Sequence, residues 1–136
     1  MSSPAPEPPG RTILLVDDDR AVRFIACRML EEAGYQVIEA GDGVEAMTRF
    51  LEDPYRFDAV VTDVVMPRIP GTLLATRVHT TRPSLPILLM SGYSPVEMLD
   101  HGLEAPHTYV LPKPFDPDQL LTAVRRIFET GLSEPE

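Results

Sequence analysis

Five polar side chains of this sequence stand where an apolar run stops. Ile13-Leu14-Leu15-Val16 runs into Asp17 and Asp18, Val60-Val61-Thr62 into Asp63, Leu88-Leu89-Met90 into Ser91, and Tyr109-Val110-Leu111 reaches Lys113 after one proline. Carboxylates brought close together repel one another, which raises a pKa unless a cation is supplied. Mg2+ suits such a cluster, because it takes hard oxygen ligands, keeps several waters and is held by one or two carboxylates plus a phosphate. Lys113 would add a mobile positive charge with three donors for a phosphoryl oxygen, and Ser91 a hydroxyl for another. A carboxylate nucleophile beside a metal, a hydroxyl and a lysine is chemistry for forming an aspartyl phosphate. Taken alone, Asp63 reads as a solvated loop acid or a helix cap; the other four residues give it a different meaning.

That meaning requires the apolar runs to be neighbouring strands. Ile13 to Val16, Gln36 to Ala40, Phe57 to Thr62, Pro86 to Met90 and Thr108 to Leu111 are short and rich in β-branched and aliphatic residues. The runs from Ile13 and from Phe57 suit strands buried on both faces of a parallel sheet. Helical spacing separates them. Val22, Ile25, Ala26, Met29 and Leu30 form one stripe, ending before Gly34; Asp42 and Glu45 form a capping box for a helix that turns Ala46, Met47, Phe50 and Leu51 inward. A third helix covers about residues 72–80, and Ser94-Pro95-Val96-Glu97 opens a short one to about Leu103. Asp116-Pro117-Asp118-Gln119 caps a last helix, with Leu120, Leu121, Val124, Ile127 and Phe128 on one stripe and Arg125 and Arg126 on the other side.

Strand and helix thus alternate five times, which predicts an α/β domain: a doubly wound parallel sheet, with helices on both faces and right-handed crossovers. In such a sheet the strand ends converge at the carboxyl edge, where ligands bind. The 136 residues suffice for one domain, expected over residues 11–130, with a Pro-rich lead or linker at 1–10 and a tail at 131–136. The chain stops soon after the last helix, so output is expected through protein contacts, by a stand-alone regulator or a piece of a larger protein.

Composition narrows the function. Apolar residues make up 43% and charged residues 24%, as in soluble globular proteins. No apolar run approaches the roughly 20 residues of a membrane span, and no secretory leader pattern opens the chain, so a cytoplasmic location is the expectation. A net charge of −9 disfavours direct nucleic-acid binding and acidic membranes. Cys27 is the single cysteine and reads as a packed small side chain.

The residues, in order, resemble a known family. Asp17-Asp18, Asp63-x-x-Met66-Pro67-x-x-x-Gly71, Ser91-Gly92 and Lys113-Pro114-Phe115 are similar to the signature of bacterial response-regulator receiver domains, over about residues 11–130. The resemblance implies a flavodoxin-like (βα)5 fold with strand order 2-1-3-4-5. It implies that Asp63 accepts a phosphoryl group from a histidine kinase or a histidine phosphotransfer protein. Asp18, Asp63 and the backbone carbonyl of Val65 would hold Mg2+, Asp17 would reach it through water, and Ser91 and Lys113 would bind the phosphoryl group. Gly92 would keep access open, and the Lys113-Pro114 bond would be cis. Met90-Ser91-Gly92-Tyr93 and the Pro-rich lead resemble receivers attached to hybrid kinases.

One position departs from the pattern. The family usually carries an aromatic switch ring three residues before the lysine; here that place is Val110, with Tyr109 one residue earlier. Strand side chains alternate, so Tyr109 would point the other way unless a bulge restores it. Tyr93 is a candidate shield for the phosphoryl group. Asp19 reads as the cap of the first helix, Met66 as packing, and His79, His101 and His107 as surface residues without metal spacing. Two other classes compete: a pseudo-receiver that keeps the fold without the chemistry, and a Mg2+-dependent phosphohydrolase with an Asp nucleophile. The latter would be expected to carry its nucleophile after the first strand and to have a cap domain. A dinucleotide-binding fold is disfavoured, since no Gly-rich loop follows the first strand.

Overall fold

The computed structural model describes residues 10–92 and 106–133. Five strands, β1 (Thr12–Val16), β2 (Gln36–Ala40), β3 (Ala59–Asp63), β4 (Ile87–Ser91) and β5 (Thr108–Pro112), pair in parallel. Their order is β2-β1-β3-β4-β5. The described helices are α1 (Arg20–Glu32), α2 (Gly43–Glu52), α3 (Gly71–Thr81) and α4 (Pro117–Ser133), with a 3-10 turn at Pro54–Arg56. The expected helix after Ser94, together with Tyr93 and His101, lies outside the described residues.

Every residue of β1, β3 and β4 is buried, which is why these segments read as unbroken apolar runs. Alternation splits the core in two. Leu14, Val16, Val60, Ile87 and Leu89 pack with Phe50 of α2 and with Leu74 and Val78 of α3. Ile13, Leu15, Val61, Leu88 and Met90 pack on the other face with Leu30 of α1 and with Leu120, Val124 and Ile127 of α4. Burying a side chain of this size contributes about 1.5–3 kcal/mol each, so the two layers hold the strand ends in fixed register.

Local sequence sets the helix starts. Asp19 caps α1 by accepting from the Val22 N–H at 3.1 Å. Asp42 caps α2 by accepting from the Glu45 N–H at 2.8 Å, and the Glu45 carboxylate reaches back to the Gly41 N–H at 2.8 Å. That backbone bond holds the Glu45 carboxyl below its ordinary range. Asp116 and Gln119 form the expected box at α4, each side chain accepting from the other's N–H at 2.8 Å. α4 extends to Ser133, past the boundary expected at residue 130.

Two inward stripes are narrower than their spacing suggests. On α1 the buried residues are Ala26, Cys27 and Leu30, whereas Val22 and Ile25 are 39% and 57% exposed. On α2, Ala46 and Phe50 are buried and Leu51 is 57% exposed. Each helix meets the sheet along one line, and apolar residues flanking that line stay in solvent. Cys27 is packed as expected, and burial above all pushes its thiol up to about 12, so it is unreactive at neutral pH. His79 and His107 are half-buried, not surface residues; the His79 ring meets the Leu85 carbonyl at 2.8 Å through Nε2.

Candidate functional site

The parallel register assembles the polar strand ends. Val16 pairs with Thr62, Asp63 with Met90, and Ser91 with Pro112, so the residues that follow each strand emerge side by side. Asp17, Asp18 and Asp63 present carboxylate oxygens that all lie within 4.8 Å of one another. Asp17 and Asp63 are 2% and 7% exposed, while Asp18 opens to solvent. Ser91, 1% exposed, ends β4, and its carbonyl accepts from the Lys113 N–H at 2.7 Å. The Lys113-Pro114 bond is cis, and the Lys113 ammonium donates to Asp63 Oδ1 at 2.8 Å.

Asp17 shows what the cluster lacks. Its Oδ1 accepts from the Asp19 N–H at 2.8 Å, but its buried Oδ2 has no hydrogen-bond partner among the described residues. Burial pushes the Asp17 carboxyl above its ordinary value, the charges of Asp63 and Asp18 add to this, and the Asp19 N–H and Lys113 oppose it in part. A buried carboxylate oxygen without a donor, facing two more carboxylates, fits a hard divalent cation.

This has a pH consequence. Because its folded pKa is raised, Asp17 contributes stability that is fully present below its unfolded value near 3.8 and is lost as pH rises through the folded value. Asp17→Asn can keep the Oδ1 bond to Asp19 while removing the buried charge. The metal-free variant is expected to be more stable than the parent at neutral pH, and to bind divalent cations at least about tenfold more weakly. Thermal melts from pH 4 to 8, with and without Mg2+, check both; equal melting curves for parent and variant in the metal-free series would refute the account.

The loop between Asp63 and α3 is closed tightly. Gly71 N–H donates to the Val64 carbonyl at 2.8 Å, and a Cβ on Gly71 would run into the Asp63 carbonyl oxygen. Met66 is 7% exposed and packs into the core, as expected for a packing residue. Val65 is 65% exposed. Gly92 is exposed, and among the described residues other than its chain neighbours a Cβ there would meet no atom within 4 Å.

β5 decides the aromatic question. Its five residues pair one for one with β4, from Ile87 with Thr108 to Ser91 with Pro112, so the strand carries no bulge. Val110 therefore packs on the α2/α3 side and Tyr109 on the α1/α4 side. Ser91 shares the parity of Ile87 and Leu89 and so the side of Val110. Tyr109 therefore lies on the sheet face opposite Val110 and Ser91.

One contributor belongs to none of the sequence motifs. Arg23 of α1 donates through Nη1 to the Asp17 carbonyl at 2.7 Å and through Nε to Glu39 of β2 at 3.0 Å, fixing the backbone of the acidic doublet. Its signal was an arginine one turn past the Asp19 cap, with an acid near the end of the neighbouring strand.

A lysine-paired aspartate among carboxylates, at the carboxyl edge of a 2-1-3-4-5 parallel sheet, defines a phosphoacceptor signalling domain. The chain belongs to the response regulator receiver domain family, whose model matches residues 13–125. It is 43% identical over 124 residues to response regulator MprA of Mycobacterium avium (strain 104), a match covering 91% of this chain and 54% of that protein. The chain thus spans about half the length of the curated relatives it matches. The chemotaxis protein CheY4 of Vibrio cholerae superposes with a TM-score of 0.78 at 32% identity, covering 86% of this chain and 98% of that one. The receiver domain of the hybrid histidine kinase CckA gives 0.73 at 34% identity, covering 85% and 97%. No described helix is long and apolar enough to cross a membrane.

Proposed function

We propose that Asp63 is the phosphoacceptor, that Asp18, Asp63 and the Val65 carbonyl hold Mg2+ with Asp17 acting through water, and that Ser91 and Lys113 receive the phosphoryl group. The observation that carries this reading is the 2.8 Å pair of Lys113 with Asp63 beside the orphan oxygen of Asp17. When bound, the ion neutralises charge between the carboxylates and the incoming phosphoryl oxygens. A carboxylate oxygen of Asp63 attacks phosphorus as the bond to the donor histidine nitrogen breaks. Lys113, already on Asp63 Oδ1, turns to a phosphoryl oxygen, and the Ser91 hydroxyl donates to another. Gly92 leaves the approach open.

The domain, taken as residues 11–130, acts as a phosphoacceptor that assists its own phosphorylation and dephosphorylation, not as a turnover enzyme. Its donor is a histidine kinase or a histidine phosphotransfer protein. α1 opens three residues after Asp17, and its exposed Val22 and Ile25, beside Phe115, offer an apolar surface next to the acid pocket. Phosphorylation adds charge and acceptors that Ser91 and Lys113 follow, biasing the segments after β4 and β5. With valine at position 110, that response proceeds without an aromatic ring from β5 on the Ser91 side.

Intact mass after incubation with acetyl phosphate and Mg2+, with peptide mapping, tests the reading. One phosphoryl group on Asp63, lost when the metal is chelated, is the expected result. No gain from acetyl phosphate or from a phosphorylated histidine phosphotransfer domain would assign the chain to the interaction modules that keep this fold without its chemistry.

A further inference from the structure

We propose that Arg68 is a positioning residue for the ion site, tying the loop that carries Val65 to the first turn of α2; this rests on the role proposed above for Val65. Arg68 has φ +67°, in the left-handed region that glycine and asparagine occupy at least cost. A long cationic side chain is an unfavourable choice there unless its far end has a function. Its far end is engaged: Nη2 donates to Asp42 Oδ2 at 2.7 Å, across 26 positions of sequence.

Asp42 is a fixed anchor, because its other oxygen caps α2 through the Glu45 N–H at 2.8 Å. The next residue reinforces the tie. Ile69 lies so close to Gly43 that a Cβ on that glycine would sit 2.6 Å from the Ile69 Cβ. Val64 and Gly71 close the loop's ends on each other at 2.8 Å, and between them Arg68 and Ile69 carry the loop to α2. Val65 sits three residues before Arg68 on this span, so the placement of its carbonyl follows from where the arginine is held. The partners are 64% and 28% exposed, which makes the pair a geometric device more than a source of stability.

The test is a Mg2+ titration followed by backbone amide NMR on the parent, Arg68→Gly, Arg68→Lys, Asp42→Asn and the Arg68→Gly/Asp42→Asn double variant. Arg68→Gly suits the left-handed backbone, so its metal-free melting temperature should equal or exceed the parent's. Its Mg2+ affinity should fall roughly three- to tenfold, less than the roughly ten- to hundredfold lost when a group bonded directly to a metal's ligand is removed, because Arg68 acts through the backbone. Asp42→Asn, which retains an oxygen for the cap, should fall equally, the double variant no further, and Arg68→Lys should recover part of the loss. In the metal-free proteins, amide exchange at Ile69 should quicken in Arg68→Gly. Variants that bind Mg2+ like a parent that binds it would overturn the role of Arg68 alone. A parent that does not bind Mg2+ would overturn the ion site and this role with it.

Discussion

Asp63→Asn should accept no phosphoryl group from any donor, under conditions where the parent is fully modified. The amide nitrogen is not a nucleophile at neutral pH, and its oxygen carries no charge to direct at phosphorus. The substitution also removes one of three clustered carboxylate charges and turns the 2.8 Å ion pair with Lys113 into a bond to a neutral acceptor at most. Loss of the nucleophile alone abolishes the transfer, and loss of charge at the proposed ion site and opposite Lys113 acts in the same direction, so the effect is complete loss and not a graded slowing. Intact mass and peptide mapping read it directly. A phosphoryl group found on Asp17 or Asp18 in the variant, at a rate near the parent's, would show that the cluster and not Asp63 defines the acceptor.

Gly71→Ala carries the second large effect, and its sign opposes the usual rule. Gly71 opens α3, where helix propensity alone favours alanine by about 0.5–1 kcal/mol. Its Cβ, however, would strike the carbonyl oxygen of Asp63 and approach Val64 Cα at 3.0 Å. Both are backbone atoms and cannot rotate away. Such overpacking costs about 1–3 kcal/mol or more, and each kcal/mol lowers the melting temperature of a domain this size by about 4 °C. Relief requires the end of β3 to move, so phosphoryl transfer to Asp63 should fall together with stability. Thermal melts and acetyl phosphate kinetics on the same sample check this; a variant that melts at or above the parent temperature refutes the contact.

The sequence disclosed what is local. The ends of β1, β3 and β4, the caps at Asp19, Asp42 and Asp116, and the convergence of Asp17, Asp63, Ser91 and Lys113 follow from short apolar runs and from hydrogen bonds between near neighbours. Alternation along a regular strand placed Tyr109 opposite Val110 once a bulge was excluded. What stayed hidden depends on distance in the chain. Ile25 and Leu51 are apolar at helical spacing, yet which line of a helix meets the sheet is set by packing with other elements. The ties from Arg23 to Glu39 and from Arg68 to Asp42 span 16 and 26 positions and leave no periodic trace.

The unpartnered oxygen of Asp17 bears on the lifetime of the chain in a cell. An ion that binds the folded domain and not the unfolded one stabilises it by about 1.4 kcal/mol for every tenfold rise in free ion above its Kd. Open, protease-sensitive molecules become about tenfold rarer over the same rise. If the clustered carboxylates hold Mg2+ as proposed above, they would also couple the abundance of the receiver to the free cation. Depletion of the cation would then raise the share of open molecules exposed to proteolysis, besides withholding the ion from phosphoryl transfer.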